Sequence, residues 1–290
     1  MLRIVLPKGS LEKATFDLFE AADLPIRRSS NVDYKASIDD PRILDVRILR
    51  PQEIPQYVAE GLFDIGITGR DWVEETQSDV HSLGELKYSK ATSDPVKVVV
   101  AVAQDSTAQS VSDLPLGVRV SSEYPSLTER YFAERGIQAD IRLSYGASEA
   151  KIPDIADCIV DITETGRALR AAGLRVIDTM LVSYTEMIAN RQAFADPEKR
   201  HAMNQLMTLL LGTLDARGKV LVKLNVGTDD LQRVLNVLPS AKSPTISELA
   251  SGGFAVESVV EKRTINTLIP ALKDAGASDL LEMPISKIVA

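Results

Sequence analysis

Short apolar runs recur along most of the chain, each closed by a turn of glycine, proline or hydroxyl residues and followed by a helically spaced segment. Residues 2–6 open as a strand. Pro7-Lys8-Gly9-Ser10 then leads into Leu11, Phe16, Leu18 and Phe19 at helical spacing, with Ser10 placed to cap the helix. Residues 45–49 form a strand ending at Arg50-Pro51, and residues 55–60 a short helix. Residues 63–67 form a third strand that runs through Thr68-Gly69-Arg70 into a helix starting near Asp71. Residues 96–103, valine and alanine almost throughout, have the continuous apolar character of a strand buried on both faces. Residues 116–121 and 141–143 are further strands, followed by the loops Ser121-Ser122-Glu123-Tyr124-Pro125 and Gly146-Ala147-Ser148-Glu149. This alternation predicts parallel sheets with βαβ crossovers, arranged as two α/β lobes with the ligand between them.

The stretch from Asp157 to Gly173 concentrates the candidate chemistry. Residues 158–162 read as a buried strand with one acid, Asp161, near its C-terminal end. Residues 163–166 make a hydroxyl-rich turn, and a helix runs from Arg167 to a stop at Gly173. The first N–H groups of a helix have no internal partner and suit a phosphate. Thr163 and Thr165 add hydroxyls, Gly166 permits close approach and Arg167 adds charge. The same turn also fits an ordinary helix start whose threonines act only as caps.

Past residue 216 the rhythm changes. Strands at 219–226, 245–249, 255–260 and 280–288 alternate with helices that Thr228 and Thr264 are placed to cap, and the order βαββαβ is that of a ferredoxin-like domain. Residues 196–214 form the helical connection to it.

Composition narrows the function classes. A net charge of -8 over 290 residues argues against a general nucleic-acid surface, so an anionic substrate must be held by local donors. Cys158 is the single cysteine, which leaves no intrachain disulfide. His81 and His201 stand in unrelated contexts, which argues against a zinc site or a histidine-based triad. The N-terminus opens directly into a strand with no leader pattern, and no run approaches the ~18–20 apolar residues of a membrane span, so a cytoplasmic location is expected.

Lys8-Gly9, Leu49-Arg50-Pro51, Asp64 to Gly69, Tyr124-Pro125, Glu149, Ala156-Asp157, Asp161 to Gly166 with Leu169-Arg170-Ala171, Lys242 to Thr245, Gly276-Ala277 and Pro284-Ile285 follow one another as the ordered motifs of a known family. In them the chain resembles ATP phosphoribosyltransferase in its long form, over essentially its whole length.

The resemblance implies a two-lobe, periplasmic-binding-protein-like catalytic core with a C-terminal ferredoxin-like (ACT-like) regulatory domain. Residues 1–92 and 179–215 would form lobe 1, residues 93–178 lobe 2 and residues 216–290 the regulatory domain. It implies attack of adenine N1 of ATP on C1 of phosphoribosyl pyrophosphate, releasing pyrophosphate in the first step of histidine biosynthesis. Mg²⁺ would be held mostly by pyrophosphate and ribose oxygens. Asp161, Thr163, Glu164, Thr165, Gly166 and Arg167 would hold the ribose 5-phosphate end, with Glu149 and Asp157 nearby. Lys8 and Arg50 would face the pyrophosphate or triphosphate, and Gly69 and Asp71 the nucleotide. Ser243 and Thr245 would belong to a site for L-histidine as feedback inhibitor, and a homo-oligomer, dimer and hexamer, is expected. The chain departs from the common family pattern at Ala168, at Lys151-Ile152-Pro153-Asp154, and at Lys223 and Asn225. A non-catalytic two-lobe binding protein shares the hinged architecture, and predicts one small ligand without turnover.

Overall fold

The computed structural model describes residues 1–30, 32–88, 95–239 and 243–289. The expected lobe boundary at 92/93 and Lys242 of the Lys242 to Thr245 motif lie outside these residues. The chain divides into two compact units, Met1–Met207 and Thr208–Ala290.

In the first unit the strands are β1 (Leu2–Pro7), β2 (Ile26–Arg27), β3 (Lys35–Ile38), β4 (Ile43–Leu49), β5 (Ile65–Gly69), β6 (Val80–Leu86), β7 (Val96–Ala103), β8 (Val118–Ser122), β9 (Ala139–Leu143), β10 (Cys158–Thr163), β11 (Leu174–Ser183) and β12 (Thr185–Asn190). Its helices are α1 (Glu12–Ala21), α2 (Ile54–Ala59), α3 (Arg70–Thr76), α4 (Pro125–Glu134), α5 (Arg167–Ala171) and α6 (Arg191–Ala195), followed by α7 (Pro197–Ala216), which the unit boundary crosses.

Two sheets result, each the centre of one lobe. The first has the order β2-β3-β4-β1-β5-β12-β6 and the second β11-β7-β10-β8-β9. β1 pairs in parallel with β4 and β5, and β8 with β9 and β10, as the βαβ rhythm requires. The sheets are nevertheless mixed rather than parallel throughout. β7 runs antiparallel to both β10 and β11, and β12 antiparallel to β5 and β6. The chain returns to the first sheet at Thr185, later than the expected residue 179, because β11 stays paired with β7 as far as Ser183↔Val96.

β7 shows why its sequence is apolar at every second position and also between them. Val98, Val100 and Val102 pack into one cluster with Val118, Val120, Tyr124 and Phe132, while Val99 and Ala101 pack into another with Ile159, Leu169 and Leu174. Both faces of that strand are core. In lobe 1, Val5, Ile54, Val58, Val73 and Ile188 form the corresponding cluster under α2 and α3. Asp64 is buried beside it. Its carboxylate accepts from the Arg3 N–H at 2.8 Å and from Lys199 Nζ at 2.8 Å, which ties the start of α7 to the sheet. Burial opposes its ionisation, but Lys199 and Arg3 outweigh that and hold its pKa below the usual value.

The second unit carries β13 (Lys219–Val226), α8 (Leu231–Val237), β14 (Thr245–Glu248), β15 (Phe254–Glu261), α9 (Ile265–Asp274) and β16 (Ala277–Pro284), with sheet order β14-β15-β13-β16. This is the ferredoxin-like βαββαβ arrangement, with Val220, Val222, Leu224 and Val226 of β13 facing Val234, Leu268 and Leu272 of the two helices. The last strand begins at Ala277 rather than 280, since pairing with β13 starts at Val226↔Ala277. The expected threonine caps are not formed. Thr228 sits in a 3-10 turn ahead of α8, and the Thr264 hydroxyl donates to the Glu261 carbonyl instead of accepting from the helix.

Candidate active site

The C-terminal ends of β1, β4, β5, β8 and β10 converge on a cavity of about 370 Å³, which is where an α/β sheet presents its ligand crevice. From lobe 1 it is lined by Ser10, Gln52, Gly69, Asp71 and Trp72, and from lobe 2 by Glu123, Tyr124, Thr163 and Glu164. Ser10 therefore lines the cleft and does not cap α1, whose N-cap position is Leu11 with no side-chain bond.

Parallel pairing of β1 with β4 brings Lys8 and Arg50 to neighbouring strand ends. Pro7 is in register with Leu49, and the Lys8 N–H donates to the Leu49 carbonyl at 2.7 Å. The Lys8 ammonium lies 3.9 Å from the centre of the Tyr34 ring, while Arg50 is exposed. Two basic residues thus follow neighbouring strand ends beside the crevice.

On the lobe 2 side, β10 delivers Asp161 and then the turn of Thr163 to Arg167. Gly166 adopts φ +71°, the left-handed region that favours glycine. A Cβ there would also come within 2.8 Å of Arg170 Nη1, whose guanidinium donates through Nη2 to the Thr165 carbonyl at 2.9 Å. The Gly166 N–H donates to Thr163 Oγ1 at 2.7 Å, and the Arg167 N–H to Thr165 Oγ1 at 3.4 Å. Both threonines hold the turn in shape through the N–H groups that a phosphate would address.

Asp161 is half-buried, and burial pushes its pKa up; an accepted bond from the Ile162 N–H partly offsets this, and the nearby Glu149 raises it further. Glu123, from the loop after β8, is likewise pushed up by burial and by Asp161, with Lys151 acting in the opposite sense. The acids of the loop after β8, of β10 and of the turn before it are therefore near enough to influence one another, and Glu123 lines the cavity.

The lobes are tied beneath the cavity by a buried network. Tyr124 Oη donates to Asp71 Oδ2 at 2.7 Å, Ser183 Oγ donates to Asp71 Oδ1 at 2.6 Å, and the Asp71 N–H donates to Ser183 Oγ at 3.0 Å. Burial and the Asp71 carboxylate push the Tyr124 phenol well above its usual pKa, so it remains a donor. Gly69 is required here, because a Cβ at that position would meet the Asp71 carboxylate. Trp72 packs on Tyr124 with ring centroids 4.5 Å apart, and Glu75 accepts from the Ser126 and Leu127 N–H groups at the start of α4.

The sequence matches the family described as "HisG: ATP phosphoribosyltransferase" over residues 50–212 and "HisG, C-terminal domain" over residues 216–287. Curated ATP phosphoribosyltransferases from Pelotomaculum thermopropionicum and Desulforudis audaxviator are 46% and 44% identical, each alignment covering 99% of both chains. The solved ATP phosphoribosyl transferase (HisG:HisZ) complex from Thermotoga maritima contains a chain 25% identical to this one, with a TM-score of 0.61 over 73% of this chain and 97% of that one.

The chain belongs to the ATP phosphoribosyltransferase family. With that family goes its activity, a pentosyl transfer that is the first step of histidine biosynthesis.

Among the site residues expected from the family motifs, the fold brings Gly69, Asp71, Thr163 and Glu164 to the cavity wall and Lys8, Arg50, Glu149, Asp161, Thr165, Gly166 and Arg167 to the strand ends and turns around it. Asp157 is elsewhere. It stands just before β10, and the ~3.3 Å rise per residue puts it roughly 20 Å along the strand from the phosphate turn. There it forms a two-point pair with Arg119, at 2.6 Å and 3.2 Å, and accepts from the Arg119 N–H. That partner holds its carboxyl below the usual range. Asp157 fastens β10 to β8. Trp72, Glu123 and Ser183 were not foreseen as site residues, and Tyr124 only as part of a Tyr-Pro motif. Their signal is a contact between lobes rather than a local pattern.

Ser243 and Thr245, the expected regulatory residues, line a second cavity of about 670 Å³ within the C-terminal unit, together with Lys219, Glu257 and Glu261.

Proposed function

We propose that the cleft binds phosphoribosyl pyrophosphate with its 5-phosphate on the turn of Thr163 to Arg167, its ribose hydroxyls toward Asp161 and Glu149, and its pyrophosphate toward Lys8 and Arg50. ATP occupies the side formed by Gly69 and Asp71. The observation that carries this reading is the convergence of five strand ends on one cavity, with the hydroxyl-rich turn after β10 on its wall and Lys8 and Arg50 following the neighbouring ends of β1 and β4.

Adenine N1 attacks C1 of the ribose as the bond from C1 to the pyrophosphate oxygen breaks, and the electron pair of that bond leaves with pyrophosphate. Positive charge builds on the ribose ring in between. The protein's part is to orient the reactants and balance charge, with the carboxylates of Asp161 and Glu149 facing the ring and the cations facing the leaving group. Mg²⁺ would be held mostly through pyrophosphate and ribose oxygens. When bound, Mg²⁺ supplies neutralisation of the leaving pyrophosphate.

Asp161→Asn keeps the size of the side chain and removes its charge. It is expected to lower kcat by on the order of 10²-fold with little change in melting temperature. A folded variant with wild-type kcat would overturn the placement of the ribose.

The cavity containing Ser243 and Thr245 is the proposed site of free L-histidine, acting from the C-terminal unit to restrain turnover through an equilibrium between homo-oligomeric states, dimer and hexamer. No helix among the described residues is long and apolar enough to cross a membrane, and a cytoplasmic enzyme is the proposed setting.

A further inference from the structure

In lobe 2 the loop between β9 and β10 is wound around one ammonium group. Lys151 Nζ donates to Ser144 Oγ at 2.6 Å and to Ser121 Oγ at 3.2 Å. Ser144 Oγ lies 3.0 Å from Ser148 Oγ, and the Ser144 N–H donates to the Ser122 carbonyl at 2.8 Å. The three hydroxyl residues are nearly sealed from solvent, Ser121 at 4%, Ser144 at 1% and Ser148 at 1% exposed. Drawing a lysine head group into such a nest forfeits hydration that neutral hydroxyls restore only in part. Closing a loop does not require a charge there, so the charge itself calls for a reason.

The surroundings supply one. Glu123 follows the Ser121-Ser122 pair directly, Glu149 shares the 3-10 turn Ser148–Lys151 with the lysine, and Asp161 lies on β10, which pairs with β8 at Ile159↔Ser121 and Val160↔Ser122. Burial and the Asp161 carboxylate push Glu123 toward the neutral form, with Lys151 opposing them there, and burial and Glu149 do the same to Asp161. Of the charged groups on neighbouring elements, Arg119 pairs with Asp157, Arg142 with Asp140, and Asp71 is bonded to Tyr124 and Ser183, while Lys97 stands opposite Thr163 and Arg167 and Arg170 lie on α5.

We propose that Lys151 is a positioning residue of the phosphoribosyl site: pinned by Ser121 and Ser144, its ammonium is the built-in counter-charge to Glu123, which lines the cleft and lies against Gly146 of the same loop, and it anchors the turn that presents Glu149. This rests on the reading that Glu149 and Asp161 face the ribose.

The test is pyrophosphate release by the full chain as a function of pH, read as kcat/KM for phosphoribosyl pyrophosphate. Without the cation Glu123, on the cleft wall, takes up its proton at higher pH, so Lys151→Met moves the acid limb of the profile upward by about 0.5–1 pH unit. Lys151→Arg keeps the charge, and its limb stays at the wild-type pH even where the rate falls, because a planar guanidinium matches the two hydroxyls poorly. An unmoved limb in folded Lys151→Met, or an equal displacement in Lys151→Arg, overturns the proposal. Should Lys151→Met fail to fold, Lys151→Gln removes the charge while keeping a donor for Ser144, with the same shift expected. A ¹³C-carboxylate titration of Glu123 in either neutral variant gives a reading independent of turnover, a raised value supporting the proposal and an unchanged one overturning it. A wild-type chain that releases no pyrophosphate would instead refute the transferase reading and leave this titration standing as the test.

Discussion

Gly166→Val separates a phosphate grip from a simple helix cap. At φ +71° a side chain costs roughly 1–2 kcal/mol in backbone strain, and more for a β-branched one. The new Cβ would also displace Arg170 Nη1, 2.8 Å away, but that group is the far end of a flexible chain. Its bond to the Thr165 carbonyl is exposed, so losing it adds about 0.5–1 kcal/mol. The stability cost is therefore about 2–3 kcal/mol, confined to the five-residue α5 and worth several degrees in melting temperature. Binding suffers more. Bonds from N–H groups to an anion are worth about 1.5–3 kcal/mol each, so disturbing two of them costs roughly 3–6 kcal/mol, at least about 10²-fold in affinity. Steady-state kinetics with each substrate varied in turn should show kcat/KM for phosphoribosyl pyrophosphate falling at least about 10²-fold, with KM for ATP changed less than about threefold. Gly166→Ala should fall between the two proteins. Wild-type kinetics in a folded Gly166→Val, its melting temperature lowered, would refute the reasoning and leave the turn as a cap.

Asp64 sets an acid limit on stability: its folded-state pKa is depressed, so the contribution of its bonds to Lys199 and Arg3 is fully present above the ordinary aspartate range and is lost as pH falls through the folded value. Thermal melts of Asp64→Asn should start lower at neutral pH, by about 2–4 kcal/mol of stability, and decline less on acidification than the wild type; parallel curves would contradict this. Cys158 is fully buried, and its thiol is pushed up to about 12 by burial and by Asp157, so a thiol reagent should react at neutral pH only on unfolding, and rapid native-state labelling would show a more open β10. Thr245→Val should weaken inhibition by histidine at least about tenfold, through loss of a hydroxyl partner to a charged ligand, and inhibition equal to wild type would place histidine outside that cavity.

The elements that could be read from sequence are those whose residues are determined by burial alone. β7 falls at residues 96–103 as expected, because both its faces are core and every position but Lys97 is apolar. β12 escaped notice because its buried Thr185, Glu186 and Asn190 read as polar surface, although Asn190 accepts from the Ala193 N–H and Glu186 accepts from Ser82. β2 is two residues long and β6 carries His81, Ser82, Gly84 and Glu85, so neither shows an apolar run. Strand direction was also hidden. Nothing in the composition of β10 distinguishes its parallel edge on β8 from its antiparallel edge on β7. Around the cavity, the turn of Thr163 to Arg167 follows a strand as its spacing suggests, whereas Tyr124 reaches Asp71 across 53 residues of sequence. Asp157 was misplaced for the converse reason: its position in a motif says nothing of which end of the strand it occupies, and Arg119 is its partner there.

The central claim is tested most directly by measuring pyrophosphate release from the full chain with ATP and phosphoribosyl pyrophosphate supplied singly and together, in the presence of Mg²⁺. The expected result is release only when both are present, with one phosphoribosyl-ATP formed for each pyrophosphate. Pyrophosphate appearing at the same rate without ATP would contradict the account, since the cleft would then be hydrolysing its donor rather than transferring the phosphoribosyl group.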